Sequence, residues 1–252
     1  METPERQELA RRLREGGAEE LATLLALRLG DLDPVTARHA FRNPFLTAEM
    51  IESLVDSPAL RSSYEVRSEA ARHPRASRLL ALRLVPGLYW ADLVRVGTDP
   101  RLHPIVRRAA DQKLAERLPT LAVGEKIAIG RAASPAVLAA LRQDPSPRVI
   151  TALLENPRLT EGLLAPLVAS EAASPQVLAV IAANPRWGVR YPIRVALCRN
   201  PQTPVTSTLS LLPMLKKSDL AAVATDPRAK LPVRRRAQLL ARGDTGAGQR
   251  HD

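Results

Sequence analysis

A proline inside a helix removes a backbone donor and clashes with the turn before it, so a chain with 22 prolines in 252 residues has no room for long helices. Asn-Pro, Asp-Pro, His-Pro and Ser-Pro pairs punctuate the chain at Pro44, Pro58, Pro74, Pro100, Pro135, Pro145, Pro157, Pro175, Pro185, Pro201 and Pro227. The residue before a proline is driven out of the α region, whereas a proline at the first helical position loses no hydrogen bond. Asn, Asp and Ser at such places cap free helical N–H groups or hold turns. Between the marks run short apolar stripes at helical spacing, such as Val137, Leu138 and Leu141, or Val177, Leu178 and Ile181. The pattern predicts many short helices, none stable alone, with the prolines between them.

Composition points the same way. Apolar residues make up 45% of the chain, dominated by Leu, Ala and Val, and only seven residues are Phe, Trp or Tyr, a balance that suits closely packed helices rather than a β-sandwich. No apolar run approaches the roughly 18 to 20 residues that span a bilayer, and Met1 to Glu20 alternates charges where a signal peptide would be apolar, so a cytoplasmic location is expected. A single cysteine, Cys198, rules out an internal disulfide and a cysteine-based zinc or iron–sulfur site, and its Leu/Val-rich surroundings predict a small buried apolar residue. His39, His73, His103 and His251 show no metal spacing, and His73 occupies an Asn position of the repeat, where it reads as a cap or turn residue. Neither a metal nor a cofactor is expected, and no phosphate loop or Gly-rich fingerprint is present.

The chain also repeats itself. Ser134 to Pro145 matches Ser174 to Pro185 at an offset of 40, the length of a helical pair. Residues 64–114 align without gaps on residues 191–241 at an offset of 127, with 19 identities in 51 positions. Tyr64 pairs with Tyr191, Arg67 with Arg194, Asp92 with Asp219, Thr98 to Arg101 with Thr225 to Arg228, and Val106 to Arg108 with Val233 to Arg235. Upstream, Asn43 to Thr47 answers Asn156 to Thr160 at an offset of 113, so the first copy lacks 14 residues, which the sequence places near Asn184 to Val189.

A Leu/Val-rich helix, then Asn-Pro or Asp-Pro, then Val-Arg opening the next helix resembles bacterial leucine-rich-repeat-variant and HEAT-like proteins, over most of residues 34–241. The resemblance implies an all-α, right-handed α-solenoid, a superhelix of short HEAT-like repeats, and a binding scaffold rather than a reaction. The N-terminal cysteine cluster that leucine-rich-repeat-variant proteins can carry is missing here. The expected organisation is two capping helices in residues 1–33, the first half of the array in 34–131, the second in 132–241, and a polar, Gly-rich disordered tail in 242–252.

The formal charge of +11 is uneven: residues 1–63 carry −3, residues 64–131 carry +6 and residues 132–252 carry +8. Nearly all the cations are Arg, with five Lys, so a GC-rich genome offers a compositional reading of the high isoelectric point beside a functional one. The candidate basic ridge comprises Arg67, Arg101, Arg107 and Arg108 with their counterparts Arg194, Arg228, Arg234 and Arg235, placed to bind phosphates or carboxylates. In the competing structural reading Arg67, Arg107, Arg108, Arg194, Arg234 and Arg235 bridge repeats by pairing with Asp92, Asp99, Asp219 and Asp226, and Asp99 and Asp226 act as helix caps. Three functions are expected to compete. The first is a non-enzymatic scaffold for a protein partner. The second is binding of duplex nucleic acid or another polyanion. The third, a DNA glycosylase of HEAT-like type, would use Trp90 and Asp92.

Overall fold

A computed structural model describes residues 4–243 of the protein. Every regular element among them is helical, and no strand occurs among the described residues. The chain forms two compact units, the first ending at Arg117 and the second beginning at Leu118. The first holds α1 (Pro4–Glu15), α2 (Ala18–Arg28), α3 (Pro34–Ala37), α4 (Ala48–Asp56), α5 (Tyr64–Ala71), α6 (Arg78–Leu84), α7 (Trp90–Thr98) and α8 (Pro104–Arg117). The second holds α9 (Val123–Ala132), α10 (Pro135–Leu141), α11 (Pro147–Glu155), α12 (Glu161–Ala169), α13 (Pro175–Ala183), α14 (Tyr191–Arg199), α15 (Val205–Leu211), α16 (Lys217–Thr225) and α17 (Leu231–Arg242). Arg242, the first residue assigned to the tail, closes α17, and Gly243 takes the left-handed conformation (φ 89°) that ends a helix without a Cβ clash. The remainder of the expected tail lies outside the described residues.

The helix starts follow from the sequence. Proline opens α3, α8, α10, α11 and α13, where its missing donor costs nothing. Thr47, Ser63, Ser77, Ser134, Thr160 and Ser174 accept, through their hydroxyl oxygens, the N–H of the third residue of the helix that follows. Pro166 departs from the expected placement, for it lies within α12; it and Gly162, whose carbonyl loses its usual donor, are both exposed.

Packing links alternate helices. In the second unit α11 lies on α9 and α13, α13 on α15, and α15 on α17, while α12 lies on α10 and α14, and α14 on α16. Leu138, Leu153, Leu164, Leu178 and Leu197 fill the space between these two rows and are almost wholly inaccessible to solvent. α9 is tied to this unit through α11, which is why the unit begins before the boundary at 131/132 that the sequence repeat suggests. The first unit uses the same contacts between α1 and α3, α3 and α5, and α6 and α8.

The 14 residues absent from the first copy are a helix rather than a loop near Asn184. α4 corresponds to α12 and α5 to α14 by their offsets of 113 and 127, and α13 stands between the latter pair with no counterpart. In the first unit the turn Ser57 to Ser63 takes its place, with Leu60 fully buried, and α4 packs directly on α5 as α12 does on α14.

Candidate binding surface

The polar residues of the repeat divide into those the fold consumes and those it leaves available. Asn43, Asn156 and Asn200 are buried. Each stands at the end of one helix and donates through Nδ2 to two carbonyls at the end of an earlier one. Asn43 bonds Leu13 and Gly16 (3.0 and 2.9 Å), Asn156 bonds Gly130 and Ala133 (2.8 and 3.3 Å), and Asn200 bonds Val168 and Ser170 (2.7 and 2.8 Å). These carbonyls lie where a helix end leaves acceptors without internal partners. Each Oδ1 accepts the N–H two residues on, from Phe45, Arg158 and Gln202, which folds the Asn-Pro turn.

His73, Asp99 and Asp226 make the same turn in the positions of the repeat asparagines, accepting from Arg75, Arg101 and Arg228 N–H. The two aspartates therefore hold turns and do not cap the following helices; His103 Nδ1 accepts from Ile105 N–H at the start of α8 instead. The arginine of each triad follows the first residue's charge. After a neutral residue it reaches back to a carbonyl, as Arg75 does to Pro44 and Leu46, Arg158 to Ala132, and Arg186 to Asn156. After Asp99 or Asp226 it turns onto the aspartate, Arg101 at 2.7 Å and Arg228 at 3.0 Å, and Arg228 also meets Glu171 at 2.9 Å. These pairs hold both aspartates below the usual carboxylate range.

The two long copies share a linkage that sequence reasoning did not assign. Tyr64 Oη donates to Asp92 Oδ2 (2.5 Å) and accepts Tyr89 N–H (2.9 Å); Tyr191 Oη donates to Asp219 Oδ2 (2.5 Å) and accepts Lys216 N–H (3.0 Å). Arg72 lies 3.7 Å from Asp92 Oδ1, and its counterpart Arg199 lies 2.8 Å from Asp219 Oδ1. Burial pushes Asp92 up, but hydrogen bonds from Tyr64, Ser68 and Arg95 outweigh it and the net shift is downward. Burial and the neighbouring carboxylate push the Tyr64 phenol up to about 12. With one oxygen on Tyr64 and the other on Arg95 (3.0 Å), Asp92 is a poor proton acceptor. The signal for this linkage was the pairing of Tyr64 and Asp92 with Tyr191 and Asp219 at one offset.

All four aspartates are thus occupied: Asp99 and Asp226 by the ridge candidates Arg101 and Arg228 of their own turns, Asp92 by Arg72 and Arg95, and Asp219 by Arg199, none of them by Arg67, Arg107, Arg108 or their counterparts. Arg67 Nε donates to the Ser63 carbonyl one turn back (3.3 Å), and Arg194 donates to the carbonyls of Met214 and Val189 (3.3 and 2.9 Å). Arg107 and Arg234 are half-buried with their Nε atoms enclosed and without an acceptor. Arg108 and Arg235 are exposed and make no hydrogen bond or ion pair with the described residues. The eight ridge candidates therefore split in three. Arg101 and Arg228 are ion-paired, Arg67 and Arg194 are bonded to backbone, and the tandem arginines of α8 and α17 remain without acidic partners. Among the described residues no cluster of metal-ligating side chains is found, and no helix is long and apolar enough to cross a membrane. Comparison with protein families, curated proteins and solved structures finds no match for this chain.

Proposed function

We propose that the protein is a non-enzymatic helical-repeat scaffold of leucine-rich-repeat-variant or HEAT-like type, a right-handed superhelix that engages a protein partner through its curved surface. The observation that carries this reading is where the repeated polar side chains go. Asn43, Asn156, Asn200 and the pairs Tyr64–Asp92 and Tyr191–Asp219 join helix to helix, which is the work of a stacked array in which each repeat contacts its neighbours. Trp187 serves the same end. The guanidinium groups of Arg186 and Arg190 lie over its ring at 4.8 and 4.7 Å, and its Nε1 donates to the Leu154 carbonyl. Affinity capture with the purified full chain, in mild salt and with an unrelated helical protein as control, should retain a protein in saturable fashion. Retention of nothing beyond the control contradicts the scaffold reading.

The unpartnered Arg107, Arg108, Arg234 and Arg235 favour a second reading, binding of a nucleic-acid duplex through its phosphates. A labelled duplex titrated by fluorescence anisotropy tests it, and absence of binding at about 50 mM salt removes it.

A further inference from the structure

The two long copies share one set of internal links but differ in net charge, +5 over residues 64–114 against +7 over residues 191–241, and the difference lies in one pair of helices. The hairpin of α7 and α8, Trp90 to Arg117, has six basic and four acidic residues, a net of +2. Its counterpart of α16 and α17, Lys217 to Arg242, has seven basic and two acidic, a net of +5. Position by position at the offset of 127, Tyr89 has become Lys216, Trp90 Lys217, His103 Lys230, Ala109 Arg236 and Asp111 Gln238.

The remaining acids do not offset this. Asp219 is held by Tyr191 and Arg199, and Asp226 by Arg228. That leaves Lys217, Lys230, Arg234, Arg235, Arg236 and Arg242 without hydrogen-bond or ion-pair partners for their side chains among the described residues, and Lys217, Lys230, Arg235 and Arg242 exposed. In the first copy Arg95 and Arg101 are paired with aspartates and Lys113 with Glu116, which leaves Arg107 and Arg108 as the cations of α7 and α8 that match Arg234 and Arg235 in having no acidic partner. Codon bias toward GC enriches arginine rather than lysine, yet three of the five lysines in the chain fall between 216 and 230. Composition alone does not account for the patch.

Resting on the duplex-binding reading above, we infer that the α16–α17 hairpin of the second copy is the surface that tracks the phosphate backbone, and that the α7–α8 hairpin contributes little to it. The chemistry fits a duplex. Tyr89 and Trp90, at the start of the first copy's hairpin, are lysines here, and neither α16 nor α17 holds an aromatic residue on which an unpaired base could stack. An anionic membrane fits less well, because Val233 and Ala237 of α17 are spent in the protein core. That leaves Leu231 and Leu239 beside Arg235 and Arg242 rather than a continuous apolar face. At a rise of about 1.5 Å per residue α17 is roughly 18 Å long, and a duplex presents about one charge per 1.7 Å of axis, so the hairpin faces enough phosphates to engage every free cation.

The test is anisotropy of a labelled 20-base-pair duplex with the full chain at several salt concentrations between about 50 and 200 mM. Binding should weaken roughly a thousandfold over that range, as about six phosphate contacts require. K217Q/K230Q/R235Q should lower the slope of log K against log salt by about three, while R101Q/R108Q in the first copy leaves it within about one of the parent. Circular dichroism confirms that both variants are folded. No binding by the parent at 50 mM overturns the duplex reading and this inference with it. Parent binding with equal loss in both variants overturns the assignment to α16–α17 alone. Tight binding to phosphatidylglycerol vesicles without binding to the duplex assigns the patch to a membrane and also overturns it.

Discussion

At the residue scale, one side chain of each repeat carries a disproportionate share of the fold. Asn156 satisfies two carbonyls and one N–H while wholly buried, so Asn156→Ala leaves three backbone groups short of partners and should cost roughly 2 to 4 kcal/mol in denaturant unfolding. Tyr64→Phe removes one bond to a carboxylate and one from Tyr89 N–H, a loss of about 1 to 2 kcal/mol. Tyr191→Phe should cost less, because Asp219 is more exposed than Asp92 (20% against 11% of the side chain). Cys198 behaves as its surroundings foretold: it is buried and its thiol is pushed up to about 12 by desolvation. It should resist a thiol reagent at pH 8 in the native state and react at once on unfolding; prompt native reaction would contradict its placement. Tyr64 and Asp92, 28 residues apart, could be matched to a second copy from sequence but not to each other, since their meeting depends on how α5 and α7 stack.

At the scale of the element, helix starts were legible because proline and hydroxyl caps act locally. Pro135 and Pro175 open α10 and α13 behind the caps Ser134 and Ser174, as the Ser-Pro pairs mark. By the same local chemistry Thr47, Ser63, Ser77 and Thr160 cap, and Pro34, Pro104 and Pro147 open, helices at places the sequence reading did not single out. The role of Asp-Pro was misread. An aspartate before proline serves equally as a cap or as a turn, and the choice rests on whether the next residues start a helix at once; here three residues intervene between Pro100 and Pro104. The helix α13 was legible in its stripe of Val177, Leu178 and Ile181, but that it is the element the first copy lacks showed only as a change of offset, since a turn of seven residues, Ser57 to Ser63, fills its place there and buries Leu60. The aspartate turns also set an acid limit. Asp92, Asp99 and Asp226 all have folded values below the ordinary one, so each adds stability above that ordinary value, and loses it as pH falls through the folded one. His73, held below the ordinary imidazole value by desolvation, adds a separate decline as pH falls below about 6.5, while these carboxylates should leave stability unchanged between pH 7 and about 5 and withdraw it below about 4. Asp92→Asn should flatten part of that fall; an unchanged acid profile in this variant would contradict the linkage.

At the scale of the whole molecule, the sequence announced an all-helical chain with an internal duplication, and both copies keep the Tyr–Asp–Arg linkage while their charges part company. What sequence alone left open was which arginines are consumed. Charge is readable from composition, but pairing depends on which carboxylate or carbonyl each side chain meets: the Val-Arg-Arg openings of α8 and α17 are alike in having no acidic partner, and the helices part only further on, where α8 pairs Lys113 with Glu116. The account turns on the claim that the free cations serve a partner and not the fold. Its most direct test is the thermal midpoint of K217Q/K230Q/R108Q/R235Q beside the parent. Exposed side chains without internal partners should leave it within about 2 °C or raise it slightly as like charges are relieved. A drop of 5 °C or more would place these residues in the structure of the array and contradict a binding surface built from them.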